Sequence, residues 1–315
     1  MARHRALTRS RHQRGMALLV VLWACTLLAI VLGAYAVQAR IEASEARLQL
    51  SHAQALSAAQ AGVMLGVYEL QRARVQADLP ITKSAVASWV NSGRPYSFPF
   101  GQAVVTISVE DEDGKIDLNS ADPNVILGLL VAAGMPLDRA QALLANIVEW
   151  RGQSGPQQLA AATQRYAAAG LNYGPRNDQF ASLEELQSVL GMDQAIYSKL
   201  ASSITLWSAR SSPATQHAPL LALASLPGMD VIKAQRYITQ RDNAAPDRPP
   251  PMLPNGMAAI GGLGTNAKTI QVRATLTDGT QADLRVTVRL ETRRTDLQGQ
   301  PPPWTVLRWQ EGSAI

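Results

Sequence analysis

The chain has 315 residues, 47% of them apolar, and a formal charge of +5; that size and apolar share support a real core in about two domains. Five of its 29 basic residues lie in the first fifteen positions, and without them 24 basic residues stand against 24 acidic ones, which argues against a strongly basic nucleic-acid surface. Cys25 is the only cysteine, so no intrachain disulfide forms.

Met16 to Val37 is a run of 22 uncharged, mostly apolar residues. As a helix it reaches about 33 Å at roughly 1.5 Å per residue, enough for a hydrocarbon core of about 30 Å. Arg3, Arg5, Arg9, Arg11 and Arg14 precede it with no acid among them. The positive-inside bias keeps that end cytoplasmic and sends the long remainder across the membrane. Three readings fit this stretch. One is a plain signal anchor. A second is a secretory signal peptide cut near Ala34-Tyr35-Ala36, against which the length of the apolar region counts. The third rests on Arg14-Gly15-Met16, a junction that resembles a type IV prepilin processing site, where a peptidase cuts after Gly15 and leaves the helix in place.

The helical pattern continues past the membrane segment. From Gln38 to Asp78 there is no proline, and Leu56, Ala59, Val63, Val67 and Leu70 step by three and four onto one face. Gly62 and Gly66 lie beside that stripe. Each weakens a helix by about 1 kcal/mol relative to Ala, which predicts close approach of another element there. One helix of roughly 60 residues, ended by Leu79-Pro80, is expected.

Trp89 and Gly93 to Pro99 read as a loop. Ala103, Val105, Ile107 and Val109 then alternate with polar partners as a half-buried strand. Glu110-Asp111-Glu112-Asp113-Gly114 is expected as a solvated turn, with calcium binding as the alternative, and Lys115 to Asn119 returns as a short strand. From Asn119 the period becomes helical. Val125–Ala133, Gly134-Met135-Pro136 and Leu137–Arg151 make a helix–hairpin–helix. Ser182 to Leu186 opens a second unit, with Ser182 and Glu185 spaced as a capping box, Gly191-Met192-Asp193 as its turn and a second helix to about Ile204. Leu223–Leu226, Pro227-Gly228-Met229 and Asp230–Arg241 form a third. Gly152 to Gln179 is a polar excursion between the first two units. Pro246 to Pro254 is a Pro-rich linker and Gly256 to Gly264 a Gly-rich loop. Alternation returns at Ile270–Leu276 and Ala282–Leu290 around Asp278-Gly279, a two-residue hairpin signal, and Trp304–Gln310 supplies another strand. Strands at both ends of a helical block predict a helical insertion in one sheet.

Little in the chain points to catalysis. There is no G-x-S-x-G or H-E-x-x-H motif, and beyond the first fifteen residues only His52 and His217 remain, which leaves a zinc site or a His-based triad without support. Gly262 to Thr269 nearly matches a phosphate loop, but Ala267 replaces the second glycine and a strand follows where a helix is required. The hairpins raise a second candidate, a membrane-anchored DNA receptor. Such turns grip phosphate through backbone N–H groups; here Pro136 removes one and Asp193 and Asp230 bring acids to the same place.

Taken in order, the Arg14-Gly15-Met16 junction with its helix, the run Val109 to Asn119 (VEDEDGKIDLN), Ser182-Leu183-Glu184-Glu185-Leu186 leading to Gly191-Met192, and the returning strands resemble the K subunits of the bacterial type II secretion system, which are minor pseudopilins. Pilins carry Glu at the fifth mature position; here that position is Val20, and K subunits also lack the Glu, as suits a tip subunit. An unpaired carboxylate there would be costly in lipid. The resemblance implies an α+β pseudopilin fold, a long N-terminal helix on an antiparallel sheet, with a large all-α insertion of helix–hairpin–helix-like units. The expected divisions are a basic leader at 1–15, a transmembrane helix at 16–38, the pseudopilin helix and first strands at 39–118, the inserted helical domain at 119–245, a Pro/Gly-rich linker at 246–264 and completing strands at 265–315. It implies a non-enzymatic subunit that caps a periplasmic pseudopilus and helps start its assembly for export of folded proteins. Such a subunit would sit in the inner membrane as a single-pass protein, with its N-terminus cytoplasmic. Its partners would be the I and J minor pseudopilins, the prepilin peptidase, the inner-membrane assembly platform and exported cargo, with no nucleic acid. Processing would involve Arg14, Gly15 and Met16, the last becoming N-methylated. Assembly would involve Val20, Leu56, Ala59, Val63, Val67 and Leu70, and the exposed side of that helix would meet I and J. Relatives that bind calcium carry acids after the helix that ends here at Trp150; this chain has Arg151-Gly152-Gln153-Ser154-Gly155 instead, with Asp178 and Glu184 the nearby acids. No cofactor is expected.

Overall fold

The computed structural model describes residues 13–77, 94–152, 154–244, 251–259, 261, 266–291 and 304–312. Helix α1 runs unbroken from Gln13 to Ala77, as a proline-free, Ala-rich sequence favours. The expected stop at Leu79-Pro80, the Trp89 loop, residues 1–12 of the leader and 246–250 of the linker lie outside the described residues.

The chain forms two units, residues 1–55 and 56–315. In the first, α1 carries a span long and apolar enough to cross a membrane. Its large side chains, among them Leu18, Val20, Leu22 and Trp23, are exposed. An outward-facing apolar stretch of this length is satisfied by lipid rather than by water.

In the second unit the same helix acquires a buried face. Ala59, Val63, Val67 and Leu70 are buried and Leu56 is half-buried. They cover an antiparallel sheet of five strands in the order β1-β2-β5-β6-β7: β1 (Tyr96–Phe100), β2 (Ala103–Asp111), β5 (Ala267–Leu276), β6 (Gln281–Leu290) and β7 (Trp304–Glu311). The alternation in β2 buries Ala103, Val105, Ile107 and Val109. Gly62 and Gly66 mark the contact. A Cβ on Gly62 would lie 2.6 Å from Val272 Cγ1 and 2.7 Å from Val105 Cγ1, and one on Gly66 3.0 Å from Ile270 Cγ2. Helix propensity is given up there for close approach.

β2 pairs with β5 from Ala103 opposite Leu276 to Asp111 opposite Lys268. The helical block therefore leaves and re-enters the sheet at one end of two neighbouring strands. It contains α2 (Pro123–Ala132), α3 (Leu137–Trp150), α4 (Pro156–Ala168), α5 (Gln194–Leu200), α6 (Leu220–Ala224) and α7 (Val231–Asp242). Its core joins Leu129, Leu143, Ile147, Leu186, Leu200, Leu223 and Tyr237. Gly134, Gly191 and Gly228 all have positive φ (94°, 92° and 74°). The three hairpin turns thus share the left-handed residue that ends a helix and starts the next segment. This is the repeat visible in the sequence.

Several elements differ from the sequence expectation. Tyr96–Phe100 is an edge strand and not a loop; Pro99 lies opposite Val104 and is tolerated because an edge position demands no second ladder. The return after the acidic turn is only β3 (Ile116–Asp117), which pairs in parallel with β4 (Ile204–Thr205) in a small separate sheet. The polar excursion contains α4. Pro156 starts it, Gln158 Oε1 accepts the Gly155 N–H at 2.7 Å, and Tyr166 is fully buried with its ring 6.3 Å from that of Trp150. The second hairpin unit opens with a 3-10 turn, Leu183–Ser188, and Ser182 makes no side-chain cap. Glu185 is occupied instead by Arg176 at 2.6 Å. The β5–β6 hairpin closes through three residues, since Thr275 faces Gln281 and the Leu276 N–H donates to Thr280 O; Gly279 takes the left-handed position at φ 86°. In the linker region Leu253 is 2% exposed and belongs to the helical core.

Candidate functional site

β2 carries Glu110 and Asp111 to the point where the inserted block departs, and a 3-10 turn, Glu112–Gly114, follows at once. The expected solvated turn is overturned: Glu112 is 1% exposed, Asp113 6% and Lys115 5%. The reason is saturation by partners far away in sequence. Lys115 Nζ donates to Glu112 Oε1 at 2.6 Å and to Glu110 Oε2 at 2.9 Å. Thr269 Oγ1 of β5 donates to Glu112 Oε1, and Thr205 Oγ1 of β4 to Glu112 Oε2, both at 2.6 Å. Glu110 also accepts from Gln271 Nε2 at 2.6 Å and Arg285 Nη2 at 3.2 Å. Lys268 pairs with Asp111. A carboxylate leaves water only when paired and hydrogen-bonded, and Glu112 meets both conditions.

Burial pushes the Glu110 carboxyl up and the Lys115 amine down, but the partners outweigh it in each case. Lys115, Arg285 and Gln271 hold Glu110 below the ordinary carboxylate range. Glu112 and Glu110 hold Lys115 above the ordinary amine range.

The rest of the run is used in the same way. Ile116 and Leu118 enter the helical core. Asp117 Oδ1 accepts the N–H groups of Asn119 and Ser120, and its Oδ2 that of Ala209 at 2.8 Å. Asn119 pairs with the Phe180 backbone in both directions, accepting its N–H at 2.7 Å and donating to its carbonyl at 3.1 Å. The motif is thus a joint that fastens the sheet to the inserted block.

The hairpin tips show why acids stand where a DNA-binding turn keeps its N–H groups free. Asp193 Oδ1 accepts the Ile196 N–H at 2.8 Å, and Asp230 Oδ1 the Lys233 N–H at 2.7 Å. These bonds, the largest influence in each case, hold both carboxyls below their ordinary range. Each carboxylate occupies the helix N-terminus that a phosphate would use.

The residues near the calcium position of relatives have other partners. Arg151 is buried and donates to the carbonyls of Leu118 and Ala121 at 3.2 and 2.9 Å. Asp178 Oδ1 accepts the Gln179 N–H, and Glu184 pairs with Arg308. Among the described residues no group of three or more His, Cys, Asp or Glu side chains could hold a metal ion. Residues 262–265 of the near phosphate loop lie outside the described residues, while Ala267 begins β5.

Of the residues singled out for processing and assembly, Arg14 and Gly15 fall in the first turn of α1, and Met16 and Val20 are 72% and 66% exposed. Ala59, Val63, Val67 and Leu70 are buried within the second unit. They are therefore core rather than free surface, and the outward side of α1 there presents Met64 and Tyr68. The inward acids of the turn escaped sequence reading, because their partners come from β4, β5 and β6.

A long N-terminal helix whose later part packs on an antiparallel sheet, with a helical block set between two strands, is a pseudopilin fold. Residues 104–209 match the family model for the type II secretion system (T2SS), protein K. Over those residues the chain is similar to protein K of the type II secretion system. A chain in the crystal structure of the GspK-GspI-GspJ complex from the enterotoxigenic Escherichia coli type 2 secretion system is similar in fold. Its TM-score is 0.58 at 16% identity, covering 86% of this chain and 100% of that one. No curated protein matches the chain.

Proposed function

We propose that the chain caps the tip of a periplasmic pseudopilus and helps start its assembly, binding I and J minor pseudopilins and performing no catalysis. One observation carries this reading: α1 continues unbroken from an apolar span into the helix that packs on the sheet. The similar fold in the GspK-GspI-GspJ complex supports the partners. Val20 in place of a carboxylate supports a terminal position, since a tip subunit has no neighbour above to pair with it. The Arg-rich start supports a cytoplasmic N-terminus, an inner-membrane span and a periplasmic body. Arg14-Gly15-Met16 supports cleavage after Gly15 by a prepilin peptidase and methylation of Met16, with handover to the assembly platform and contact with exported cargo. Nothing in this role requires a cofactor.

The test is intact mass and N-terminal sequencing of the protein recovered from membranes, with co-purification of I and J. The expected product begins at methylated Met16 and retains both partners, and Gly15→Trp abolishes processing. A product cut near Ala36, or an intact Met1 in cells with active peptidase, overturns the reading.

A further inference from the structure

The sequence holds one Asn-Gly pair, Asn255-Gly256, and the fold gives it a specific seat. Leu253 to Met257 close a tight turn: the Gly256 N–H donates to Leu253 O at 2.9 Å, and the Leu253 N–H to Met257 O at 3.0 Å. Gly256 takes the left-handed position at φ 82°, as the order Pro-Asn-Gly favours. The turn lies against the third hairpin unit. Leu253 belongs to the helical core, and a Cβ on Gly228 would stand 3.4 Å from that of Asn255. Asn255 fastens the contact with its amide. Its Nδ2 donates to Pro227 O at 2.8 Å, and its Oδ1 accepts the Met257 N–H at 3.1 Å.

Asparagine followed by glycine has a reaction of its own. The Gly256 nitrogen gives up its proton and attacks Cγ of Asn255. The N–Cγ bond forms, the Cγ–Nδ2 bond breaks, and ammonia leaves with the proton. Water then opens the five-membered imide at either carbonyl and leaves aspartate or isoaspartate. Glycine favours the attack because no side chain shields its nitrogen, and a Cβ built on Gly256 would meet nothing within 4 Å. The seat acts against it. The attacking nitrogen is bonded to Leu253 O and the leaving group to Pro227 O, so both bonds must open before the imide can form.

We propose that Asn255 is a site of spontaneous deamidation, gated by the seating of the 253–257 turn on the third hairpin unit, and that the product no longer seats. An asparagine side chain both donates and accepts, whereas a carboxylate only accepts. Aspartate therefore sets an oxygen against the Pro227 carbonyl where Nδ2 made its bond. Isoaspartate also lengthens the main chain by one carbon inside a turn that is closed at both ends. Either product loosens Leu253 from the core, and the change runs one way because the ammonia is lost. The site does not depend on the subunit's position in a filament.

The test is incubation of the full chain in detergent micelles in mildly alkaline buffer, folded and in denaturant, with mass spectrometry of the peptide that contains Asn255. Conversion is expected in both, and about tenfold or more slower in the folded chain, since hydrogen bonds must open before reaction. Leu253→Ala removes the anchor of the turn but none of the reacting atoms. It should raise the folded rate severalfold and leave the unfolded rate unchanged. Asn255→Asp should speed hydrogen exchange at the Leu253 and Gly256 amides. Equal rates in the folded and unfolded chains, no conversion of the folded chain, or a folded rate that Leu253→Ala leaves unchanged overturns the gated site. Unchanged exchange in Asn255→Asp overturns the loss of seating, and it decides that point even if Leu253→Ala fails to fold.

Discussion

Thr205 Oγ1 and Glu112 Oε2, 93 residues apart in the chain, are 2.6 Å apart in the fold. The hydroxyl belongs to the inserted helical block and the carboxylate to the 3-10 turn that follows the sheet's second strand, so this bond, with Lys115 and Thr269, ties the two parts together.

Lys115→Met is expected to cost about 3–5 kcal/mol, because Glu112 is left buried without its counterion; Glu112→Gln should cost less, since Lys115 keeps Glu110 at 2.9 Å. The double variant should cost clearly less than the sum of the two. Chemical denaturation of the full chain in micelles measures this; additive losses would show that the pair is not coupled.

Gly62→Ala should destabilise the body by about 1–3 kcal/mol, as overpacking does, even though alanine is the better helix former. Its Cβ would meet Val272 and Val105 Cγ1 atoms at 2.6 and 2.7 Å. Gly33→Ala, with nothing within 4 Å, should leave stability unchanged or raise it. Thermal melts of the two variants make the comparison.

Asn119→Ala leaves both the N–H and the carbonyl of Phe180 without their partner. A loss of about 1–3 kcal/mol is expected, with Asn119→Asp intermediate, since a carboxylate still accepts the N–H but cannot donate. Hydrogen exchange at the Phe180 amide should rise with the loss.

Stability should form a plateau bounded by the two groups of the joint. Glu110 titrates below its ordinary range in the fold, so its contribution is present above its unfolded pKa and is lost as pH falls through the folded value. Lys115 titrates above its ordinary range, so its contribution is present below its unfolded pKa and is lost as pH rises through the folded value. Denaturation midpoints across pH should fall at both ends, and Glu110→Gln should flatten the acid limb.

Much of this was legible from residue order alone. The unbroken α1, the buried stripe of Ala59, Val63, Val67 and Leu70, the close approach at Gly62 and Gly66, and the three Gly-Met hinges all follow from periodicity and from the conformational needs of glycine. These are properties of one element and its nearest neighbours in the chain. The strands β2, β5 and β6 also follow from alternation, and their position on either side of a helical run implies the insertion.

Other features depended on partners that no local pattern names. Tyr96–Phe100 becomes a strand only because β2 offers it an edge, and α4 is stabilised by Tyr166 packing against Trp150. The acidic turn is the clearest case. By composition Glu110 to Asp113 belongs in water, and composition is a sound guide when a charge must find its own counterion nearby. Here Thr205 and Thr269 arrive from 93 and 157 residues away to complete what Lys115 begins. The sequence determines which groups need a partner; only the folded chain decides whether that partner is water or protein, because desolvation is offset by contacts at whatever distance along the chain the topology brings together.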